Sequence, residues 1–193
     1  MKPARVMLID TPTQPAILEQ VLLAQGLTVV CRLASAQGLI KYVEVHQPDI
    51  IIMDLTFPDQ ETLDNLTALN QHSPKPVIMF ADEGDSKIIS QAVQAGVNAY
   101  VVDGLSPHRV KPILDVAIAR FEEFQTLSKE LKQAKNQLAD RKIIDRAKGL
   151  LMKTKGLEEE QAYHAMRKMA MDQSKPLVEI AHNMLSVMAL LTP

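Results

Sequence analysis

Residues 49–54 (DIIIMD) place three isoleucines and a methionine between two aspartates. An apolar run this short, without alternating polar positions, is typical of a β-strand that is buried on both faces. Such strands belong to parallel sheets with helices on both sides, because each crossover between parallel strands covers a face of the sheet. The segment therefore predicts an α/β fold in which Asp54 lies at the carboxyl end of a strand, where functional crevices form.

Four similar apolar runs flank this segment and alternate with helical patterns through residue 120. We expect strands at residues 5–10, 27–33, 49–54, 76–81 and 98–102. Helices are expected between them, over residues 15–25, 36–46 and 61–71 and in a segment that ends at Gly96. Five strands separated by helices predict a five-stranded parallel sheet. Its carboxyl ends would present Asp10, Asp54, Ala81 and Asp103.

This order of elements, with Asp54 after the third strand, resembles the flavodoxin-like receiver domains of two-component response regulators over residues 1–120. The resemblance implies that an acidic pair after the first strand and the aspartate of the third bind Mg²⁺, and that this aspartate accepts a phosphoryl group. It also implies a Ser or Thr after the fourth strand and a Lys after the fifth. Asp54 matches the acceptor, but the acidic pair is reduced to Asp10 and Thr11, and Ala81 and Asp103 replace the hydroxyl and the lysine.

Each departure weakens phosphoryl chemistry. One carboxylate fewer weakens Mg²⁺ binding, Ala81 cannot donate a hydrogen bond, and Asp103 repels a phosphoryl group. We therefore expect no catalytic residue, no cofactor and no phosphorylation of Asp54. Two alternatives stay open for Asp10, Asp54 and Asp103: they are solvated remnants of the family site, or they bind Mg²⁺ weakly without phosphoryl transfer.

A helical pattern continues from Pro107 to Gly156, and Gly149 is a tolerable interruption within it. Apolar residues repeat at alternating spacings of three and four over the predicted linker, residues 121–140. This seam consists of Phe124, Leu127, Leu131, Ala134 and Leu138. The spacing favours a parallel two-chain coiled coil, and hence a homodimer, over packing of the seam against the same chain.

Charge distinguishes the two ends of the chain. Residues 1–123 carry nine Lys/Arg against fifteen Asp/Glu, whereas residues 124–193 carry twelve against eight. The excess is concentrated in residues 129–155, with nine cations and three acids, and such a basic helix suits a phosphate backbone. A solvated helix face is the alternative. No apolar run reaches the roughly 18 residues of a membrane span, so we expect a cytoplasmic protein without membrane contact.

Residues 141–193 predict a domain of three helices: the end of the long helix, a second over residues 158–171, and a third that begins with Ser174 as its N-cap. Cations border the apolar face of the first helix around Gly149. Tyr163 and Arg167, four apart on the second, could clamp an unstacked base, or Tyr163 could anchor the core beneath Arg167. The candidate RNA-binding residues are Arg141, Lys142, Arg146, Lys148, Gly149, Lys153, Tyr163 and Arg167.

Four short segments of this region resemble the ANTAR domain, the RNA-binding module of bacterial transcription antitermination regulators. They are residues 147–152 (AKGLLM), 156–157 (GL), 162–163 (AY) and 167–171 (RKMAM). With residues 100–105 (YVVDGL) and 109–117 (RVKPILDVA), the whole chain is similar to the nitrate-responsive antiterminators of that family.

The resemblance implies a regulator without enzymatic activity that binds paired hairpins in a leader mRNA. Binding keeps a terminator from forming and so affects the RNA polymerase elongation complex indirectly. A nitrate-sensing partner protein is expected to hold the regulator inactive until nitrate or nitrite binds that partner. Two other interpretations stay open: a phosphorylation-activated response regulator that acts on DNA, and a coiled-coil signalling adaptor.

Overall fold

The structure, a computed structural model, describes residues 3–10, 17–102 and 107–191. The chain divides into two compact units, which we call the front unit (residues 1–125) and the rear unit (residues 126–193). None of the helices in the described ranges is both long enough and apolar enough to cross a membrane.

The front unit contains the predicted five-stranded parallel sheet. Its strands are β1 (Arg5–Asp10), β2 (Thr28–Leu33), β3 (Ile50–Leu55), β4 (Val77–Ala81) and β5 (Ala99–Val102). They lie side by side in the order β2-β1-β3-β4-β5, and all neighbours are parallel. Each strand begins and ends within one residue of the position expected from the sequence, so the α/β prediction is confirmed.

Successive residues of the central strands feed two apolar clusters, one on each face of the sheet. On β3, Ile51 and Met53 belong to one cluster, whereas Ile50 and Ile52 belong to the other. The alternation follows from the period of two along a strand, and it explains why the DIIIMD segment has no polar position inside it.

Four helices of the front unit connect the strands: α1 (Ile17–Ala24), α2 (Leu39–His46), α3 (Gln60–His72) and α4 (Ser86–Ala95). Aspartate caps fix two of their starts. The side chain of Asp59 accepts a hydrogen bond from the Thr62 backbone N–H at 2.8 Å, and Asp85 accepts one from Lys87 at 2.7 Å. Gly96 ends α4 with a φ of 112°, a backbone conformation that is unfavourable for residues with a Cβ atom.

The predicted long helix is confirmed as α5 (Pro107–Lys155), 49 residues that begin in the front unit and continue through the rear unit. It is followed by α6 (Glu159–Asp172) and α7 (Leu177–Leu191). The rear core brings together Ala147 of α5, Met166 of α6 and Ala181 of α7, each of which is fully buried.

The start of α7 differs from the expectation. Ser174 is not an N-cap: its φ is 51°, and it lies in the turn that ends α6. In that turn the backbone N–H of Lys175 donates to the carbonyl of Ala170 at 3.0 Å. The first helical residue is Leu177, directly after Pro176 and two residues later than expected, because residues 173–175 are used to terminate the preceding helix.

Candidate functional site

The carboxyl ends of β1 and β3 lie together at one edge of the sheet. Asp10 and Asp54 are register partners; Asp10 is only 5% exposed, and Asp54 is half-buried. At the end of β4, Ala81 is buried and offers no hydroxyl. Asp103 lies outside the described residues, so the three-acid pocket of Asp10, Asp54 and Asp103 stays a prediction.

Arg32, on β2, was not among the sequence-predicted site residues. Its Nε donates to Asp10 Oδ1 at 2.8 Å and its Nη2 to Asp10 Oδ2 at 2.5 Å. Nη1 lies 3.6 Å from Oε2 of Glu19 on α1. The hydrogen bonds to Asp10 and the attraction of its charge raise the pKa of the Arg32 guanidinium. An arginine inside the largely apolar strand TVVCRL was the sequence feature that could have pointed to this ion pair.

The receiver resemblance implies Mg²⁺ at this edge, and the described residues do not fit it. Mg²⁺ requires near-octahedral oxygen ligands at about 2.0–2.1 Å. Both carboxylate oxygens of Asp10 instead accept hydrogen bonds from Arg32. Within residues 3–10, 17–102 and 107–191, no group of three or more His, Cys, Asp or Glu could hold a metal ion.

In the rear unit, four of the candidate RNA-binding cations on α5 are exposed: Arg141, Lys142, Arg146 and Lys153. Gly149 lies between them in the sequence and is half-buried. Apart from its two neighbours and the backbone of its own helix, a Cβ atom added at Gly149 would meet no atom of the described residues within 4 Å. The glycine therefore leaves an open surface on α5 that another molecule can approach closely.

Lys148 differs from these cations because the structure places it in ion pairs. Its Nζ lies 3.0 Å from Asp145 Oδ1 and 2.7 Å from Glu159 Oε1, and its side chain is only 17% exposed. The hydrogen bonds to Glu159 and then Asp145 raise the pKa of the Lys148 ammonium. Glu159 is in the first turn of α6, so Lys148 links α5 to α6 as well as adding charge to the basic segment.

The acid of α6 that pairs with Lys148 lies on the same side of the helix as the two candidate residues of α6. Glu159, Tyr163 and Arg167 are spaced by four residues and therefore share one side of α6. Tyr163 is 40% exposed, with its ring in an edge contact with His164, and Arg167 is exposed. The Lys148–Glu159 ion pair thus joins the basic segment of α5 to the stripe of α6 that carries Tyr163 and Arg167. Sequence reasoning missed both acids that hold Lys148.

The predicted seam lies along an exposed stripe of α5. Its four large residues are each more than half exposed, and Ala134 is exposed too; the four are Phe124, Leu127, Leu131 and Leu138. The next positions in the same register are Arg141, Asp145 and Lys148. Charge replaces the apolar side chains there, so the seam ends at Leu138 and the ion pairs of the rear unit begin.

Two family models match the chain, the response regulator receiver domain over residues 6–115 and the ANTAR domain over residues 132–185. The transcriptional regulatory protein PdtaR of Mycobacterium tuberculosis is 27% identical over 171 residues, which cover 89% of this chain and 83% of that protein. The nitrate regulatory protein of Klebsiella oxytoca is 42% identical over 88 residues, 46% of this chain and 22% of that protein.

Among solved structures, a CheY-like response regulator receiver domain protein from Methanospirillum hungatei matches with a TM-score of 0.52 and 22% sequence identity. The match covers 63% of this chain and 98% of that one. At this identity the likeness concerns the fold, and its extent agrees with a receiver fold in the front unit.

Proposed function

Because the chain belongs to the response regulators that join a receiver domain to an ANTAR domain, we propose that it is an RNA-binding transcription antiterminator. The ANTAR domain binds paired hairpins in a leader mRNA, keeps a terminator hairpin from forming, and so affects the RNA polymerase elongation complex indirectly. The observation that carries the proposal is the exposed row of cations around Gly149 on α5, within the ANTAR match. Each cation that contacts a phosphate releases a condensed counterion.

The functional unit in this proposal is a homodimer joined through the seam of α5. The large apolar side chains of the seam are exposed in the single chain, and a partner helix would bury them as knobs in holes. A dimer also presents two copies of the basic surface, which suits two hairpins on one RNA.

Control in this proposal comes from a nitrate-sensing partner protein rather than from phosphorylation. The similarity to the nitrate regulatory protein supports nitrate or nitrite as the signal. The chemistry of the front unit supports control without phosphate, because Ala81 has no hydroxyl and Asp10 is held by Arg32. We therefore expect Asp54→Asn to bind RNA as the parent does.

A gel-shift titration tests the proposal with three probes: a two-hairpin leader RNA, its single-hairpin version and a duplex DNA of equal length. We expect the two-hairpin RNA to bind most tightly. Arg146→Ala removes an exposed cation, so the log–log slope of affinity against salt should flatten by about 0.7–0.9 for each phosphate that the variant no longer neutralises. Lys87→Ala, which removes an exposed cation from α4 of the front unit, is the matched control and should leave the slope unchanged.

Lys148→Ala needs a separate control because it also breaks the ion pairs with Asp145 and Glu159. The double variant Asp145→Asn, Glu159→Gln breaks both pairs while keeping the lysine, so its difference from Lys148→Ala reports the contribution of the cation to RNA binding. Tighter binding to duplex DNA would favour a DNA-binding regulator. Binding to none of the probes would favour a coiled-coil adaptor, and either result would reject the RNA proposal.

A further inference from the structure

Asp10 is a buried carboxylate whose charge is compensated from within the chain. Arg32 reaches it from the adjacent strand and donates to both of its oxygens, at 2.8 and 2.5 Å. A guanidinium stays protonated at any pH at which proteins fold, and its planar fork matches a carboxylate in two parallel hydrogen bonds. Among ion pairs of side chains this two-pronged form is the strong one.

A carboxylate that is only 5% exposed requires such compensation, because burial of an unpaired charge is costly. The receiver resemblance assigns the compensation to a divalent cation. In this chain the oxygens that such a cation would use already accept N–H groups of Arg32. Arg32 belongs to the chain, so it loses no translational freedom when it pairs with Asp10. A metal ion from solution would lose that freedom and would also have to displace Arg32.

We propose that Arg32 is a built-in counter-cation that occupies the place of Mg²⁺ beside Asp10, so that this edge of the sheet takes up a divalent cation only when Arg32 is removed. Arg32 thus makes the front unit independent of metal. The inference concerns the front unit without RNA, and it stands or fails separately from the proposed RNA binding.

Mn²⁺ is a suitable probe because electron paramagnetic resonance measures the free ion directly. The parent chain is expected to leave Mn²⁺ free at millimolar concentrations, whereas Arg32→Ala should bind it at least about tenfold more tightly, as expected when a competing charge is removed. The added change Asp10→Asn should abolish that binding. Arg5→Ala is the matched control, since it removes an arginine from the opposite end of β1, where Nη2 donates to the His46 carbonyl at 2.6 Å.

Two further measurements decide the matter if Arg32→Ala folds poorly. Arg32→Lys keeps a charge but loses the fork, so it should fold and bind Mn²⁺ with an affinity between those of the parent and the alanine variant. Mn²⁺ that the parent binds and Asp10→Asn does not would overturn the proposal. So would Arg32→Lys and Arg32→Ala proteins that bind Mn²⁺ no more tightly than the parent.

Discussion

The front and rear units differ in the size and arrangement of their apolar cores. The front unit buries apolar side chains on both faces of its sheet, in two separate clusters. The rear unit has three short helical faces that meet at Ala147, Met166 and Ala181. A unit of fewer than 70–80 residues rarely gains more than about 3–5 kcal/mol from a single core. The front unit is therefore built to fold by itself, whereas the rear unit depends on every contact that it has.

The two units also differ in the exposure of their ion pairs. In the front unit Arg32 pairs with Asp10, whose side chain is almost entirely buried. In the rear unit the ion pairs of Lys148 and Lys175 involve exposed carboxylates and hold short helices. Exposed pairs contribute at most about 1 kcal/mol each. The rear unit therefore leaves its charged surface accessible and gains little stability from its ion pairs.

The largest effect is expected from Met166→Ala in the rear core. Met166 is fully buried, and a Met-to-Ala change in a core costs about 2–5 kcal/mol. That decrease is comparable to the whole stability of a small unit. Hydrogen exchange measured by mass spectrometry should show α6 and α7 unprotected while the sheet of the front unit stays protected.

The control for this change is Met171→Ala on the same helix, because Met171 is 72% exposed and should tolerate the substitution. Equal loss of protection in both units after Met166→Ala would show that the units fold as one, and the contrast between them would fail.

A smaller effect, on association rather than on folding, is expected from Leu131→Glu in the seam. Burial of a leucine stabilises by about 1.5–3 kcal/mol, so a charge at this position should weaken the dimer at least about tenfold. Gln133→Glu adds the same charge at an exposed position outside the seam and should leave association unchanged. Sedimentation velocity of each protein with the two-hairpin RNA, on which the dimer forms, measures both. A Leu131→Glu protein that still assembles as a dimer on this RNA as the parent does would exclude the seam as the dimer interface.

The smallest effect is expected at the cap of α3. Asp59→Ala removes the acceptor for the Thr62 N–H and should destabilise the front unit by about 1 kcal/mol. Hydrogen bonding from Thr62 holds the pKa of Asp59 below its ordinary value. The contribution is therefore complete above the unfolded pKa and is lost as the pH falls through the folded one, below about pH 4.

Urea unfolding at neutral and at acid pH measures this cap. Asp59→Asn keeps a capping acceptor that does not titrate, so it should retain most of the stability and lose the pH dependence. An Asp59→Ala protein as stable as the parent at neutral pH would contradict the prediction and show that this cap does not stabilise the front unit.

The strands and the long helix were predictable because their signals are local. The uninterrupted apolar run of residues 50–53 is typical of a strand buried on both faces, and the helical pattern after Pro107 contains no strong stop before Gly156. The predicted start of α7 was wrong because a serine two residues before a proline can be either a helix cap or part of a tight turn. The φ of 51° at Ser174 and the hydrogen bond from the Lys175 backbone N–H to the Ala170 carbonyl identify the turn.

Ion pairs between different elements were not predictable from the sequence. Arg32 and Asp10 are 22 residues apart and meet because β2 is the neighbour of β1 in the sheet. Lys148 and Glu159 are 11 residues apart and meet across the turn that follows α5. Pairs within one helix, such as Asp145 with Lys148, follow from spacing, whereas pairs between elements require the packing first.

The end of the seam at Leu138 has a consequence for assembly. Two heptads of apolar contact make a weak coiled coil, and Arg141 and Asp145 do not extend it. Two free chains would then associate poorly, whereas two chains bound to neighbouring hairpins of one RNA would meet at a high effective concentration. Under the proposed function, the spacing of the hairpins becomes a determinant of dimer formation, and the RNA serves as the template on which the regulator assembles.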